Sequence, residues 1–292
     1  MRSLLDVPAP AKLNLFLHIT GRREDGYHLL QSAFVLIDWC DTLHFELRAD
    51  GRLSREDLTV PLPADDLVLR AARALQQHAG TALGAHIGVE KRIPAQAGMG
   101  GGSSDAASCL LALNRLWGLD LDRPALEAIG LGLGADVPFF LRGHNAWVEG
   151  IGERITPLTG DSALPPARFV VVKPQAGLDT RTIFSSPALK RDSAGARIAV
   201  FAADHYGFGR NDLQPVAETL CPEIAQALDW LASQGLQARM TGSGSAVFAV
   251  SADTGTANRM PLSAPDTHPA WQVRRCSSLD IHPLAGWAEG RD

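Results

Sequence analysis

The sequence predicts a two-domain chain that mixes strands with helices, and three observations lead there. At 292 residues the chain is too long for one typical core. The polar, then proline-rich segment Thr159-Gly-Asp-Ser-Ala-Leu-Pro-Pro166 lies between two strand-like runs and suits a linker, which divides the chain into residues 1–160 and 161–292. In both halves, apolar runs of strand period alternate with stripes of helical period.

The first strand is read in Ala9-Pro-Ala-Lys-Leu-Asn-Leu-Phe-Leu-His18. Alternation places Leu13, Leu15 and Leu17 on one face and Lys12, Asn14, Phe16 and His18 on the other. A lysine on a strand usually marks a solvated face, but here a polar turn, Gly21 to His28, follows directly. Tyr27 and His28 leave that turn, an aromatic beside a histidine that could stack on and hydrogen-bond a heteroaromatic ring. Ser32–Trp39 and Asp41–Arg48 read as two further strands of a meander.

Asp66 to Gly80 reads as a capped helix, with Leu67, Ala71, Ala74 and Leu75 as its stripe. A short strand, Ala85–Glu90, then runs into Ile93-Pro-Ala-Gln-Ala-Gly-Met-Gly-Gly-Gly-Ser-Ser-Asp-Ala-Ala107 and an apolar helix from about Ser103 to Trp117. Gly98, Gly100, Gly101 and Gly102 let the backbone approach a ligand closely, and Ser103 or Ser104 suits the helix cap. Free amides clustered at the positive end of a helix make an anion site, most often one for phosphate. The bland alternative is a flexible linker before a capped helix, but linkers seldom run into a helix this apolar. No lysine follows the glycines, so this is not a P-loop. Ser103 stands where the dinucleotide fingerprint needs glycine.

Pro124 opens another helix, which Gly130, Gly132 and Gly134 break up before Ala135-Asp-Val-Pro-Phe-Phe140. Asp136 there suits either a helix cap or a general base held on an apolar shoulder. Asn145–Gly150 and Glu153–Pro157 read as a strand pair closing the first domain. Arg168–Pro174 opens the second as a buried strand, and Thr180–Phe184 is a short helix presenting an aromatic. His205–Arg210 reads as a loop, Pro222–Ser233 as an amphipathic helix, and Leu236–Met240 and Ala246–Val250 as strands around a second glycine turn, Thr241-Gly-Ser-Gly-Ser245. That turn is a tight strand connection or the wall of a phosphate pocket. Trp271–Cys276 reads as a last strand, and nothing after Ile281 is informative.

Composition narrows the function classes. Hydrophobic residues make up 46% and charged residues 20%, as in an ordinary globular enzyme. A formal charge of −5 gives no electrostatic footprint for nucleic acid or anionic membrane, so any anion must be held by local groups. The four cysteines lack metal-ligand spacing, and no signal peptide or membrane-spanning run is visible; the expectation is a reducing cytoplasm.

Taken together, Pro10-Ala-Lys12 with Asn14, the loop Gly98–Ser104, Gly134-Ala-Asp-Val-Pro138 and Thr241-Gly-Ser-Gly244 resemble the GHMP small-molecule kinases. They stand in that family's order and span most of the chain. Gly26-Tyr-His28 narrows the resemblance to the branch acting on a cytidine-diphosphate-linked methylerythritol. The resemblance implies a two-domain α+β fold with the active site in the interdomain cleft. It implies transfer of the ATP γ-phosphate to the substrate's 2-hydroxyl, in the non-mevalonate isoprenoid pathway. By the family pattern Asp136 is the base and Lys12 its charged neighbour. Pro94, Ala95, Gln96, Ala97, Gly98, Met99, Gly100, Gly101, Gly102, Ser103 and Ser104 cradle ATP, while Asn14, Tyr27, His28 and Phe184 hold the cytidine end. Gln96-Ala97 departs from a loop that is usually glycine-rich throughout. Mg²⁺ is expected to ride on phosphates and water, with Ser104 as a direct or water-mediated contact, since no acidic cluster offers ligands. Expected partners are the small-molecule substrate and ATP, with the chain a monomer or weak homodimer. The alternatives are a mevalonate, homoserine or sugar kinase of the same family, or a non-catalytic nucleotide-binding protein on its fold.

Overall fold

The computed structural model describes residues 2–251 and 264–288. Two long strands form its spine. β1 (Ser3–Arg22) and β2 (His28–Arg48) run antiparallel over nearly their whole lengths. The expected pair of strands, Ser32–Trp39 and Asp41–Arg48, is therefore one strand, bent where the register slips between Pro10 and Ala11 of β1. A second slip between Asn14 and Phe16 interrupts the alternation of β1, so Leu13, Leu15 and Phe16 join one buried cluster instead of opposite faces. Bulges of this kind leave no mark in residue type.

β3 (Leu53–Asp57) and α1 (Leu67–Ala79) follow. Asp66 caps α1 by accepting from the Leu69 amide, and Gly80 ends it in the left-handed region at φ 59°. β4 (Gly84–Glu90) pairs with β2 and, in parallel, with β3. α2 (Gly101–Trp117) starts two residues before the expected Ser103, because Gly100 at φ 72° is its cap. Neither Ser103 nor Ser104 caps it: the Ser104 hydroxyl is buried and donates to the Pro10 carbonyl. α2 is buried over most of its surface, packed on the β1–β2 ribbon and flanked by α1 and, beyond it in sequence, α3 (Arg123–Leu131) and α4 (Val137–Arg142). Each large apolar side chain so buried contributes roughly 1.5–3 kcal/mol.

β5 (Ala146–Gly150) pairs with β2 and with β6 (Arg154–Pro157), as the sequence indicates. The expected linker holds one short 3₁₀ turn, Gly160–Ser162. The second half opens with β7 (Arg168–Lys173) and continues through α5 (Thr180–Ser185), α6 (Ile198–Ala203), α7 (Gln214–Leu220) and α8 (Pro222–Ser233). β8 (Ala238–Met240), β9 (Val247–Ser251) and β10 (Gln272–Leu279) complete its sheet.

β10 joins the halves, pairing with β7 along most of its length and with β2 at Ser278 and Leu279. The sheet path thus runs β3-β4-β2-β10-β7-β9-β8. A mixed cluster of Leu13, Phe16, Trp39, Trp147, Phe169 and Phe248 fills the space between the halves. The residues after Ile281 have a clear place: Leu284 and Ala288 pack into the core of the first half. No helix among the described residues is long and apolar enough to cross a membrane.

Candidate active site

A cleft of about 820 Å³ lies where the two halves meet, lined by the glycine loop, Lys12, Asn14, Asp136 and the second glycine turn. Lys12 enters it from β1, with its amide donating to the Met99 carbonyl at 3.0 Å. Its ammonium is almost wholly buried, donates to Asn14 Oδ1 at 2.5 Å, lies 3.7 Å from Asp136 Oδ2 and sits 4.6 Å from the Phe34 ring centroid. Burial lowers its pKa, and the Asp136 carboxylate opposes that shift. Asp136 occupies the cap position of α4 but caps nothing, so its carboxylate stays free at the cleft edge with its side chain 30% exposed. The helix-cap alternative is not realised.

Asn14 is also buried. It accepts from Lys12, donates to Ser32 at 2.9 Å, and its amide donates to Thr241 Oγ1 at 2.8 Å. Its side chain is thereby turned towards the ammonium and locked by the second glycine turn.

The two glycine turns interlock backbone against backbone. A Cβ on Gly98 would stand 2.2 Å from the Thr241 carbonyl oxygen, and one on Gly242 would stand 2.6 Å from the Gly98 oxygen. The Ser245 and Ala246 amides donate to the Gln96 and Ala97 carbonyls at 3.0 and 3.3 Å. This accounts for the departure at Gln96-Ala97. Gln96 turns the chain in the left-handed region at φ 51°, and the Ala97 methyl, with Ile93 and Met99, anchors the loop in the mixed core. The loop is a nailed-down turn and not a flexible string. Pro94 through Ser103 line the cleft; Ser104 does not, its hydroxyl being committed to Pro10.

Tyr27 and His28 line a second cavity of about 540 Å³ that shares Leu30, Ile151 and Phe184 with the first. Tyr27 is 61% exposed. The Phe184 ring on α5 lies 5.1 Å from the His28 ring at 37°. Sequence reasoning missed Arg191, which donates to His28 Nε2 at 3.0 Å and to the carbonyls of Phe184, Ser186 and Leu189. His28 must offer a lone pair at Nε2, which leaves its proton on Nδ1. Burial, then Arg191 and Arg22, lower its pKa. Also missed was Thr180, whose hydroxyl meets that of Ser243 at 2.7 Å and ties α5 to the second glycine turn.

No group of three or more His, Cys, Asp or Glu among the described residues could hold a metal ion. Oxygen-bearing side chains at the cleft include Asp136, Ser103, Thr180 and Ser243 beside the loop's backbone.

Models for the N-terminal and C-terminal domains of GHMP kinases match residues 66–144 and 188–267. The chain is 68% identical to the 4-diphosphocytidyl-2-C-methyl-D-erythritol kinase of Paracidovorax citrulli over 292 residues, all of both chains. It is 68% identical to that of Delftia acidovorans over 288 residues, 98% of each chain. A crystal structure of 4-(cytidine 5'-diphospho)-2C-methyl-D-erythritol kinase matches with a TM-score of 0.77 at 35% identity, covering 94% of this chain and 98% of that one. The homoserine kinase of Cytophaga hutchinsonii shares the fold, with a TM-score of 0.69 at 15% identity over 97% and 96% of the two chains.

Proposed function

The chain belongs to the GHMP kinase family, and within it to the group that phosphorylates 4-diphosphocytidyl-2-C-methyl-D-erythritol; on that premise we propose how its cleft transfers the ATP γ-phosphate to the substrate's 2-hydroxyl. The single observation that carries the proposal is the pairing of Lys12 with Asp136 between the phosphate loop and the Tyr27–His28 cavity.

A sugar-type hydroxyl does not ionise appreciably near neutral pH, so attack on phosphorus needs a proton acceptor. Asp136 takes that proton as the new O–P bond forms and ADP leaves, a contribution typically worth about 10²–10⁴ in rate. Lys12 offsets charge on the attacking oxygen and the transferring phosphoryl group. Asn14 and Phe34 aim the ammonium from behind. Backbone amides of Gly98–Ser103 and the start of α2 hold the phosphates. The loop would present those phosphates to a Mg²⁺ ion, which would supply charge neutralisation there, and the Ser103 hydroxyl is a loop side chain lining the cleft that could help hold it.

At the other end, Tyr27 and Phe184 bracket the pyrimidine, and His28 supplies a neutral ring with Nδ1–H as donor. The reaction is placed in the cytoplasm, in keeping with four free cysteines, and the chain acts as a monomer or weak homodimer. We expect Asp136→Asn to lower kcat by at least about two orders of magnitude while both Michaelis constants stay within about threefold. A kinase assay with mevalonate and homoserine as control acceptors checks this. Turnover within a few-fold of wild type would remove Asp136 from the chemistry, and Lys12→Ala should lose turnover similarly.

A further inference from the structure

Between α5 and α6 the chain runs from residue 186 to 197 with neither helix nor strand, yet it carries Arg191, the brace of His28. Arg191 otherwise donates to its own neighbourhood, the carbonyls of Phe184, Ser186 and Leu189. Where its guanidinium meets His28 is therefore decided by how the segment is attached to the strands that carry His28. Burial of Leu189 holds the segment down, but apolar burial has no direction. The directional attachment comes two residues after Arg191. The Ser193 amide donates to the Ile19 carbonyl of β1 at 3.0 Å, and its hydroxyl donates to Asp212 Oδ2 at 2.6 Å. Asp212 is a buried carboxylate that the chemistry above does not use. The same oxygen accepts from the Ile19 amide at 2.8 Å, and Oδ1 accepts from Arg210 Nε at 2.8 Å. The Asp212 amide donates to the Leu17 carbonyl, and the side chain of Asn211 beside it donates to the Met240 and Gly242 carbonyls. Asp212 is thus fixed to β1 and to the second glycine turn independently of Ser193. A second tie, from the Ala196 amide to Gln31 Oε1 at 2.7 Å, lies further along the segment.

We propose that Asp212, acting through Ser193, is a positioning residue for substrate recognition: it hooks the segment carrying Arg191 onto β1 and so sets where the guanidinium meets His28. This rests on the reading of the Tyr27–His28 cavity as the cytidine end. Asp212, Ser193 and Arg191 line neither that cavity nor the main cleft, so a loss on changing Asp212 or Ser193 is not a lost contact with substrate or ATP. Ile19 pairs with Leu30, and Arg22 with His28 itself, so the hook engages β1 on the stretch of ribbon that presents the histidine. A buried carboxylate carries a desolvation cost that an apolar anchor would avoid, so holding the segment down does not by itself explain Asp212. What the carboxylate adds is direction. One oxygen takes the β1 amide and the Ser193 hydroxyl together, which fixes the segment along the strand as well as against it. The charged and titratable groups around His28 are Arg22 at the end of β1, Asp25 and Tyr27 of the turn after it, Arg181 of α5, and Arg191. Of these, Arg191 lies on the segment that Asp212 holds.

The test follows His28 directly. Nitrogen NMR of histidine-labelled protein gives the tautomer and the titration of the ring, and calorimetry gives Kd for the cytidylyl substrate. Ser193→Ala removes the hydroxyl and leaves Asp212 with the Ile19 amide and Arg210. We expect the His28 titration to move up, as it should in Arg191→Ala, and Kd at about pH 6.5 to rise by about threefold. The KM for ATP should stay within about twofold of wild type. Asp212→Asn has one oxygen to do what two now do, and should move both readings the same way. In an Arg191→Ala background Ser193→Ala should change neither reading further, because the residue it acts through is gone. A shift of equal size in that background would overturn the proposal, since a general loosening of the fold does not depend on Arg191. Unchanged His28 titration and unchanged Kd in both folded variants would overturn it too, and so would loss of the native fold in both, by making the hook a pillar of the core. A His28 titration that responds as expected, in protein that neither binds nor phosphorylates the cytidylyl substrate, would defeat the functional reading and leave the placement of His28 standing.

Discussion

The two ends of the cleft are built from different materials. At the phosphate end the working surface is backbone: two glycine turns pressed together so closely that a single methyl at Gly98 would collide with a carbonyl. At the far end it is side chain: an exposed tyrosine, a histidine and a phenylalanine, with Arg191 bracing the last two. A phosphate group looks the same on every nucleotide, so a preorganised array of amides suffices and rigidity costs nothing in specificity. A pyrimidine must be told from other rings, and that takes faces to stack on and a proton placed on one particular nitrogen. Precision at one end comes from what cannot move, and at the other from how a few side chains are propped.

Each end can be broken separately. The largest effect should come from Gly98→Ala, which meets both the positive φ of 71° and the Thr241 carbonyl. We expect the KM for ATP to rise by about tenfold or more and stability to fall by about 1–3 kcal/mol, read by kinetics and denaturant melts. The KM for the cytidylyl substrate should change little; equal losses at both ends would mean the turns support the whole cleft. Next in size is Tyr27→Ala. Stacking on a base is worth about 1–3 kcal/mol, so the KM for the cytidylyl substrate should rise by about tenfold with the KM for ATP unmoved. The smallest effect is expected from Arg191→Ala, visible chiefly against pH. Burial first, then Arg191 and Arg22, lower the His28 pKa in the wild type. Without Arg191 one of those causes is removed, so the rise in substrate KM with falling pH should begin at a higher pH in the variant than in wild type. Parallel profiles would show that Arg191 does not govern the ring's protonation.

The same contrast explains what the sequence revealed. Glycine clusters are visible because glycine is chosen for what it lacks, so both turns of the phosphate end could be read directly, although nothing in their residues shows that they touch. Tyr27 and His28 stood out as an aromatic–histidine pair leaving a turn. Arg191 did not, because an arginine within Lys190-Arg-Asp192 has the composition of a solvated loop. The ion pairs of Lys91 with Asp41 and Asp105 were invisible for another reason: the three are ordinary charges until β2, the turn after β4 and α2 are brought together. Even Lys12 and Asp136 were paired only through the family pattern, their contact being made across the fold. The helix start was misread because Gly100 caps α2 by conformation, where side-chain chemistry favoured a serine. The bulges in β1 likewise follow from how the two long strands fit, not from any one residue.

The return of the chain end to its beginning carries a consequence for synthesis. Leu284 and Ala288 complete the core around α2, the helix that begins at the phosphate loop, and β10 lends β2 a neighbour some 240 residues after β2 itself is made. Arg123 donates to the Leu141 and Arg142 carbonyls at the end of α4 and also to Ala285, so the helix that begins at Asp136 is braced by one of the last residues described. A nascent chain on the ribosome can form the β1–β2 ribbon early, but the second glycine turn, at Thr241–Ser245, is made late, and the wall that holds Asp136 waits for Ala285. Activity should therefore appear late and all at once, however early the first half collapses.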